Sequence, residues 1–369
     1  MTAYLVILAV AAVATFALTF MVRGLAGRFG AVVPPDERRL HERATPTAGG
    51  AAMFVAFLLA MVAATRIDQF QPMFDGTTPL GVVVAGTVVF VIGLVDDLRE
   101  MSAPAKLAGQ VLAGSVLSLL GVVMVFFRVP FFDLIGVSSD LAPLATVVWV
   151  VAMTNAINLI DGLDGLAAGV VAIAAGAFFL YGYHLQSGDV GLLALNNPAP
   201  LLAAIACGIC LGFLPHNFHP ARIFMGDAGA MLLGLLMAAA TLLVGGGTDT
   251  EFSGQTFFFY APIFIPFFIL GVPILDTIFA ILRRAVRRKG VAIADRDHLH
   301  YRLERMGHGH RRAVLILWAW TALLSGFVLY PAFSERGNHV VVFGVAALGV
   351  ALYTLFHPGV RVRQESLDV

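Results

Sequence analysis

Residues 141–184 read LAPLATVVWVVAMTNAINLIDGLDGLAAGVVAIAAGAFFLYGYH. Two apolar stretches, each about 20 residues and so long enough to cross a bilayer, flank NLIDGLDG. That break places Asp161 and Asp164 where a greasy run should simply continue. Backbone groups in lipid must be satisfied within their own segment, so such stretches form helices. The polar break is then the water-facing junction of two consecutive spans. An all-α integral membrane protein follows.

The rest of the chain agrees. Of 369 residues, 59% are hydrophobic and 12% charged, with a mean hydropathy of +0.88; a soluble chain carries roughly 25% charged residues. The formal net charge is zero, and no nucleic-acid partner is expected. Cys207 and Cys210, in ACGIC within an apolar run, lack a second ligand pair and read as small buried hydrophobes rather than zinc ligands. The first 22 residues have no basic leader and read as a retained span.

Eleven spans are expected, near 3–22, 48–65, 78–95, 105–127, 141–158, 165–184, 200–215, 228–244, 258–282, 312–331 and 339–357. The ninth contains Pro262, Pro266 and Pro273, which predicts a kinked or broken helix. Lys and Arg favour the cytoplasmic side. With the N-terminus outside and the C-terminus cytoplasmic, twenty of the 23 basic residues fall inside, leaving Arg66, Arg128 and Arg336 outside. With no internal repeat or long linker, residues 1–369 read as one polytopic domain. Its largest inner loop, 283–312, is rich in Arg and His.

This topology gathers the conspicuous polar residues on the inner face. Asp96 and Asp97 end span three, and Asn155, Asn158, Asp161 and Asp164 join spans five and six. His216, Asn217, His219 and Asp227 lie between spans seven and eight, and His298 and His300 lie in the basic loop. Asp96, Asp97 and Asp161 sit at helix C-termini, facing the negative end of the macrodipole, so each needs a compensating cation. Mg²⁺ suits carboxylate oxygens gathered from separate segments.

Singly, each group has an ordinary explanation: solvated carboxylates ending a span, Asp227 capping span eight, or surface histidines. Asp276, inside span nine, is costlier, because a charge within a span is a functional candidate by default; its ordinary reading is a partner for Arg283 or Arg284. The coincidence of the segments on one face is what argues for a site.

Together they resemble the polyprenyl-phosphate N-acetylhexosamine-1-phosphate transferases. The resemblance runs from RRLHERATPTAGG (38–50) through GLVDDLREMSAPAKLAGQ (93–110), NAINLIDGLDGLAAG (155–169) and FHPARIFMGDAG (218–229) to DRDHLHYRL (295–303). It implies an enzyme that moves a sugar-1-phosphate from a UDP-sugar to a membrane polyprenyl phosphate, releasing UMP, with Mg²⁺ or Mn²⁺. The spacing of His298-Leu299-His300-Tyr301 resembles the bacterial undecaprenyl-phosphate GlcNAc-1-phosphate transferase branch. Tyr301 replaces that branch's third histidine, and Ala230 replaces an expected serine.

The resemblance implies Asp227 as a metal ligand, with Asp161 and Asp164 supporting the metal or the diphosphate. Asp96 and Asp97 would orient or deprotonate the lipid phosphate beside Lys106. Asn158 and Asn217 would bond nucleotide or sugar, and Phe224 would stack on uracil. Arg296, His298 and His300 would hold the diphosphate or sugar, and Thr45, Thr47, Gly49 and Gly50 would complete the nucleotide side. The lipid tail would lie between spans near the ninth. A bacterial inner-membrane setting, initiation of cell-envelope polysaccharide synthesis and a homodimer are further expectations.

Two rivals stay open. One is the muramoyl-pentapeptide branch, with UDP-MurNAc-pentapeptide as donor. The other is an ion-coupled transporter, which would call for mid-bilayer acids and repeated halves.

Overall fold

In the computed structural model the stretch 141–184 forms two helices, Ala142–Ile160 and Leu166–Gln186, joined by a tight turn at 161–165. Gly165 closes the turn in the left-handed conformation, φ +77°, which glycine adopts without steric cost. The structure describes residues 1–29, 32–33, 45–124, 126–128, 134–187, 193–245, 271, 303, 306–333 and 339–356.

In chain order the helices are α1 (Thr2–Phe29), α2 (Gly49–Ala64), α3 (Gln71–Phe74), α4 (Thr78–Leu98), α5 (Ala103–Leu119), α6 (Ala142–Ile160), α7 (Leu166–Gln186), α8 (Ala199–Asn217), α9 (Gly226–Gly245), α10 (Gly309–Phe333) and α11 (His339–Phe356). Two small antiparallel ribbons accompany them. The first pairs β1 (Val32–Val33) with β2 (Thr45–Pro46); the second pairs β3 (Phe126–Arg128) with β4 (Leu134–Gly136).

Seven described helices are long and apolar enough to cross a membrane: α1, α4, α6, α7, α8, α9 and α10. They answer to seven of the eleven expected spans. The second expected span is α2, which bends by 95° into the segment 68–74, as a broken span or re-entrant loop does. The fourth stops at Leu119 rather than 127, because Gly121 turns the chain with φ +98° and Val122 N–H returns to Leu117 C=O. The eleventh is the shorter apolar helix α11. The ninth expected span, with Pro262, Pro266, Pro273 and Asp276, lies outside the described residues except for Gly271. So does the loop as far as residue 302.

Helix α9 is the hub. It is apolar on every side, from Ala228 to Val244, and it packs against α2, α4, α6 and α8; all-round hydrophobicity marks a helix surrounded by others. Helix α1 packs on α8, where Gly208 and Gly212 let the α1 backbone approach at Leu8 and Ala12. That small-xxx-small spacing brings membrane helices together without a hydrophobic driving force. The outer surface keeps large apolar side chains exposed, among them Val13, Phe20, Leu119, Val341 and Leu348, as expected of a surface solvated by lipid tails. This is an all-α multi-pass membrane protein.

Candidate active site

The C-terminal ends of α4 and α6 meet the N-terminal ends of α5 and α9 at one end of the bundle. Asp97, at the end of α4, receives two backbone N–H bonds from the first turn of α9, from Asp227 at 2.8 Å and Ala228 at 3.1 Å. One helix's unfavourable C-terminal carboxylate thereby caps another helix's positive N-terminus. Two glycines make the approach feasible. A Cβ on Gly93 would strike the Ala228 backbone, and one on Gly226 (φ +66°) would strike the Asp97 carboxylate.

Asp227 therefore projects from a turn fixed by Asp97. Asn158 Nδ2 donates to Asp227 Oδ1 at 2.9 Å, and Lys106 Nζ contacts Oδ2. Lys106 also reaches Asp96 at 3.1 Å, while Met101 N–H donates to Asp96 at 2.7 Å. The Asp227 side chain remains 30% exposed, so it can still meet a ligand. Lys106 sits in the first turn of α5, where a cation opposes the dipole; the two carboxylates hold it there.

Asp161 caps α6 at the edge of this group. Desolvation by the surrounding protein, followed by the Asp97 and Asp164 charges, pushes its carboxyl up to about 7. Asp96 and Asp227 thus share the ammonium of Lys106, while Asp97 is held by backbone amides and Asp161 couples to Asp97 and Asp164. The donor set is oxygen-rich, and at Asp227 and Asp161 it keeps some exposure. It fits a hard divalent cation such as Mg²⁺, which takes one or two carboxylates plus waters and phosphates.

Several other expected residues lie on the segments that flank this group. β2 and the start of α2 run alongside the IFMGD segment: Phe224 N–H donates to Pro46 C=O, Gly49 N–H to Phe224 C=O and Gly50 N–H to Met225 C=O. Thr45 and Thr47 lie on the same segment, and the amides of Gly49 and Gly50 are engaged in holding it. Asn217, 1% exposed, accepts Gly165 N–H and donates to Ile223 C=O. It braces the α6–α7 turn against the loop that follows α8. Phe224 is half-buried beside the mouth.

Asp164 is 3% exposed and turns towards a different group: His219 Nδ1 and Ala221 N–H bond its Oδ2 at 2.8 and 2.9 Å. The expected Arg296, His298 and His300, with Tyr301, lie outside the described residues.

Sequence reasoning missed His310, which sits beside Asp164. A lone histidine opening a span carries no local signal of the partner it meets 146 residues away. It also missed Gln110, fully buried on α5, which accepts Asn155 Nδ2 at 2.7 Å.

Comparison with known proteins follows the same lines. Residues 79–245 match the model of glycosyl transferase family 4. The chain is 38% identical to the decaprenyl-phosphate N-acetylglucosaminephosphotransferase of Mycolicibacterium smegmatis, over 94% of this chain and 86% of that protein. It is 34% identical to a probable undecaprenyl-phosphate N-acetylglucosaminyl 1-phosphate transferase of Bacillus subtilis, over 92% of this chain and 84% of that one. A phospho-N-acetylmuramoyl-pentapeptide-transferase of Desulforudis audaxviator is 33% identical, over 79% and 86%.

Proposed function

The chain belongs to glycosyl transferase family 4, and on that premise we propose that it is a phosphoglycosyl transferase. It moves N-acetylglucosamine-1-phosphate from UDP-GlcNAc to a polyprenyl phosphate and releases UMP. The observation that carries this reading is the convergence of Asp96, Asp97, Asp161, Asp227, Lys106 and Asn158 from four helix ends. The relatives named for GlcNAc-phosphate transfer match over more of this chain than the relative named for muramoyl-pentapeptide transfer, which supports UDP-GlcNAc as the donor.

Phosphoryl transfer asks for positioning and charge neutralisation more than covalent help. A lipid phosphate oxygen attacks the β-phosphorus of the donor, a new P–O–P linkage forms, and the bond to the α-phosphate oxygen breaks as UMP departs. A phosphomonoester has its second pKa near 6, about one unit below neutral pH, so the nucleophile is largely ionised without a strong base. A bound Mg²⁺ would neutralise the diphosphate and the departing UMP.

Asp227 and Asp161 are the residues that would hold that ion, with Asp164 supporting them from the turn. Lys106, fixed by Asp96, presents the cation for the lipid phosphate. Asp97 keeps the first turn of α9, and so Asp227, in place. Asn158 fixes the Asp227 rotamer, and Phe224 offers a ring to uracil beside Asn217. Arg296, His298 and His300 would approach the diphosphate and sugar from the basic loop. The bias of Lys and Arg supports an N-out, C-in topology, which would face this mouth to the cytoplasm of a bacterial cell, where UDP-sugars are made.

The test is an assay of purified protein with polyprenyl phosphate, Mg²⁺ and labelled UDP-GlcNAc. Lipid-linked GlcNAc and UMP are the expected products. Turnover only with UDP-MurNAc-pentapeptide would transfer the chain to the other branch, and no turnover with either donor would overturn the reading.

A further inference from the structure

The turn between α6 and α7 leaves backbone amides that neither helix satisfies by itself, and a buried N–H without an acceptor is costly. Helix α7 brings no side-chain cap of its own at Gly165. Two successive amides are met from elsewhere in the chain. Gly165 N–H donates to Asn217 Oδ1 at the end of α8, at 3.0 Å, and Asp164 N–H donates to His310 Nε2 in the first turn of α10, at 2.9 Å. A neutral imidazole has one acceptor nitrogen, so His310 carries its proton on Nδ1 and commits Nε2 to this amide. The same nitrogen lies 3.9 Å from Asp164 Oδ2 and, being unprotonated, makes no ion pair with it.

His219 holds the other half of the residue. Its Nδ1 donates to Asp164 Oδ2 at 2.8 Å, beside Ala221 N–H at 2.9 Å. The two imidazoles stack with centroids 4.3 Å apart and planes 25° from parallel, so each ring limits the rotation of the other. Asp164 is 3% exposed and the His310 side chain 11%, which leaves little room for water to replace either bond. Helix α10 has a second anchor. About two turns beyond His310, Trp318 fills the notch left by Gly169 of α7, where a Cβ would strike the indole, and its ring lies 5.7 Å from that of Phe218.

On the transferase reading of this site, we propose that His310 is a positioning residue. By holding the Asp164 amide it fixes the α6–α7 turn, and with it the Asp161 carboxylate, in the geometry that receives the donor and its divalent cation. Local bonding at Asp161 is weak: its N–H reaches Asn158 C=O at 3.3 Å, beyond the usual range for such a bond. The turn therefore takes its shape from the bonds at Asp164 and Gly165. His310 also follows the basic loop in sequence, so the same bond ties the exit of the segment carrying Arg296, His298 and His300 to the turn that carries Asp161 and Asp164.

The experiment compares His310→Leu, which keeps the bulk and removes the acceptor, with His310→Gln, which returns an acceptor oxygen near the place of Nε2. Both are made in the full chain, in detergent or nanodiscs. Hydrogen–deuterium exchange over residues 158–169, without substrate or divalent ion, should quicken in His310→Leu and return to the parental rate in His310→Gln. In the transfer assay, His310→Leu should raise the Mg²⁺ requirement by about 10- to 100-fold, the effect of losing a group that orients a metal-holding carboxylate. Its kcat at saturating Mg²⁺ and UDP-GlcNAc should stay within a fewfold of the parent, and His310→Gln should recover the parental Mg²⁺ requirement. A residue that only supports the fold would not divide the effect in this way. Unchanged exchange in His310→Leu, an unchanged Mg²⁺ requirement beside an active parent, or a Gln variant no better than the Leu variant would each overturn the proposal. A parent without turnover would sink the transferase reading and this role with it, while the exchange comparison would still decide whether His310 holds the turn.

Discussion

Asp97 ends α4 where a carboxylate meets the negative pole of its own helix, and its relief comes from the amides of Asp227 and Ala228. Charge-assisted bonds of this kind are about twice as strong as neutral ones. Asp97→Ala should therefore loosen the start of α9 and cost about 1–2 kcal/mol, the range of a lost helix cap. The expected signature is a lower melting temperature together with a raised Mg²⁺ requirement; an unchanged metal requirement would remove Asp97 as the positioner of Asp227. Asp227→Asn should leave the fold intact and reduce turnover by at least about 100-fold, the upper range for residues that only support a ligand. Turnover within a fewfold of the parent would sink its role at the metal.

Asp161 carries the pH dependence. Its carboxyl is pushed up to about 7, against about 3.9 for the unfolded residue. The folded protein therefore favours the neutral form, and the resulting stability is full below about pH 4 and is lost as pH rises through 7. In the absence of divalent ions, melting temperature should fall between pH 5 and pH 8, and Asp161→Asn should flatten that fall. A slope identical in the variant would assign the effect elsewhere.

Among the elements, the contact of α4 with α9 controls the site. Gly93 lies against the Ala228 backbone, so Gly93→Val has no flexible neighbour to move. Overpacking of this sort costs about 1–3 kcal/mol, and the upper end applies where backbone is struck. Separation of α4 from α9 would also pull Asp97 from its amides. Thermal unfolding in detergent and the turnover rate should fall together, and a variant that loses stability while keeping full activity would show that the two helices are not coupled at the site. The α6–α7 junction behaves differently, because Asn217 braces it from across the loop after α8. That brace sets the turn from which Asp164 meets His219 and His310.

At the scale of the whole molecule, the proposed N-out, C-in orientation would face the active-site mouth to the cytoplasm. Cysteine at Ser102 should react with a membrane-impermeant maleimide only from the cytoplasmic side, and cysteine at Asp140, beyond the other end of α6, only from outside. Cys207 and Cys210 are buried in α8 and keep the background low. Reversed labelling would overturn the orientation.

The sequence by itself determined the class of molecule, most of the helices and the roster of acidic residues. Apolar run length is enforced by the bilayer, and charge clustering at span ends is a local property, so both can be read along the chain. Asp96, Asp97, Asp161 and Asp227 were legible for that reason. The tertiary structure decided which of them stand together and how each is held. Only docking of α9 between α4 and α6 shows that Asp97 is compensated by backbone amides, Asp96 by Lys106, and Asp161 by neither. Only the return of α10 against α7 brings His310 to Asp164. Those pairings join residues far apart in sequence through contacts between helix ends, and no periodicity or local motif encodes them.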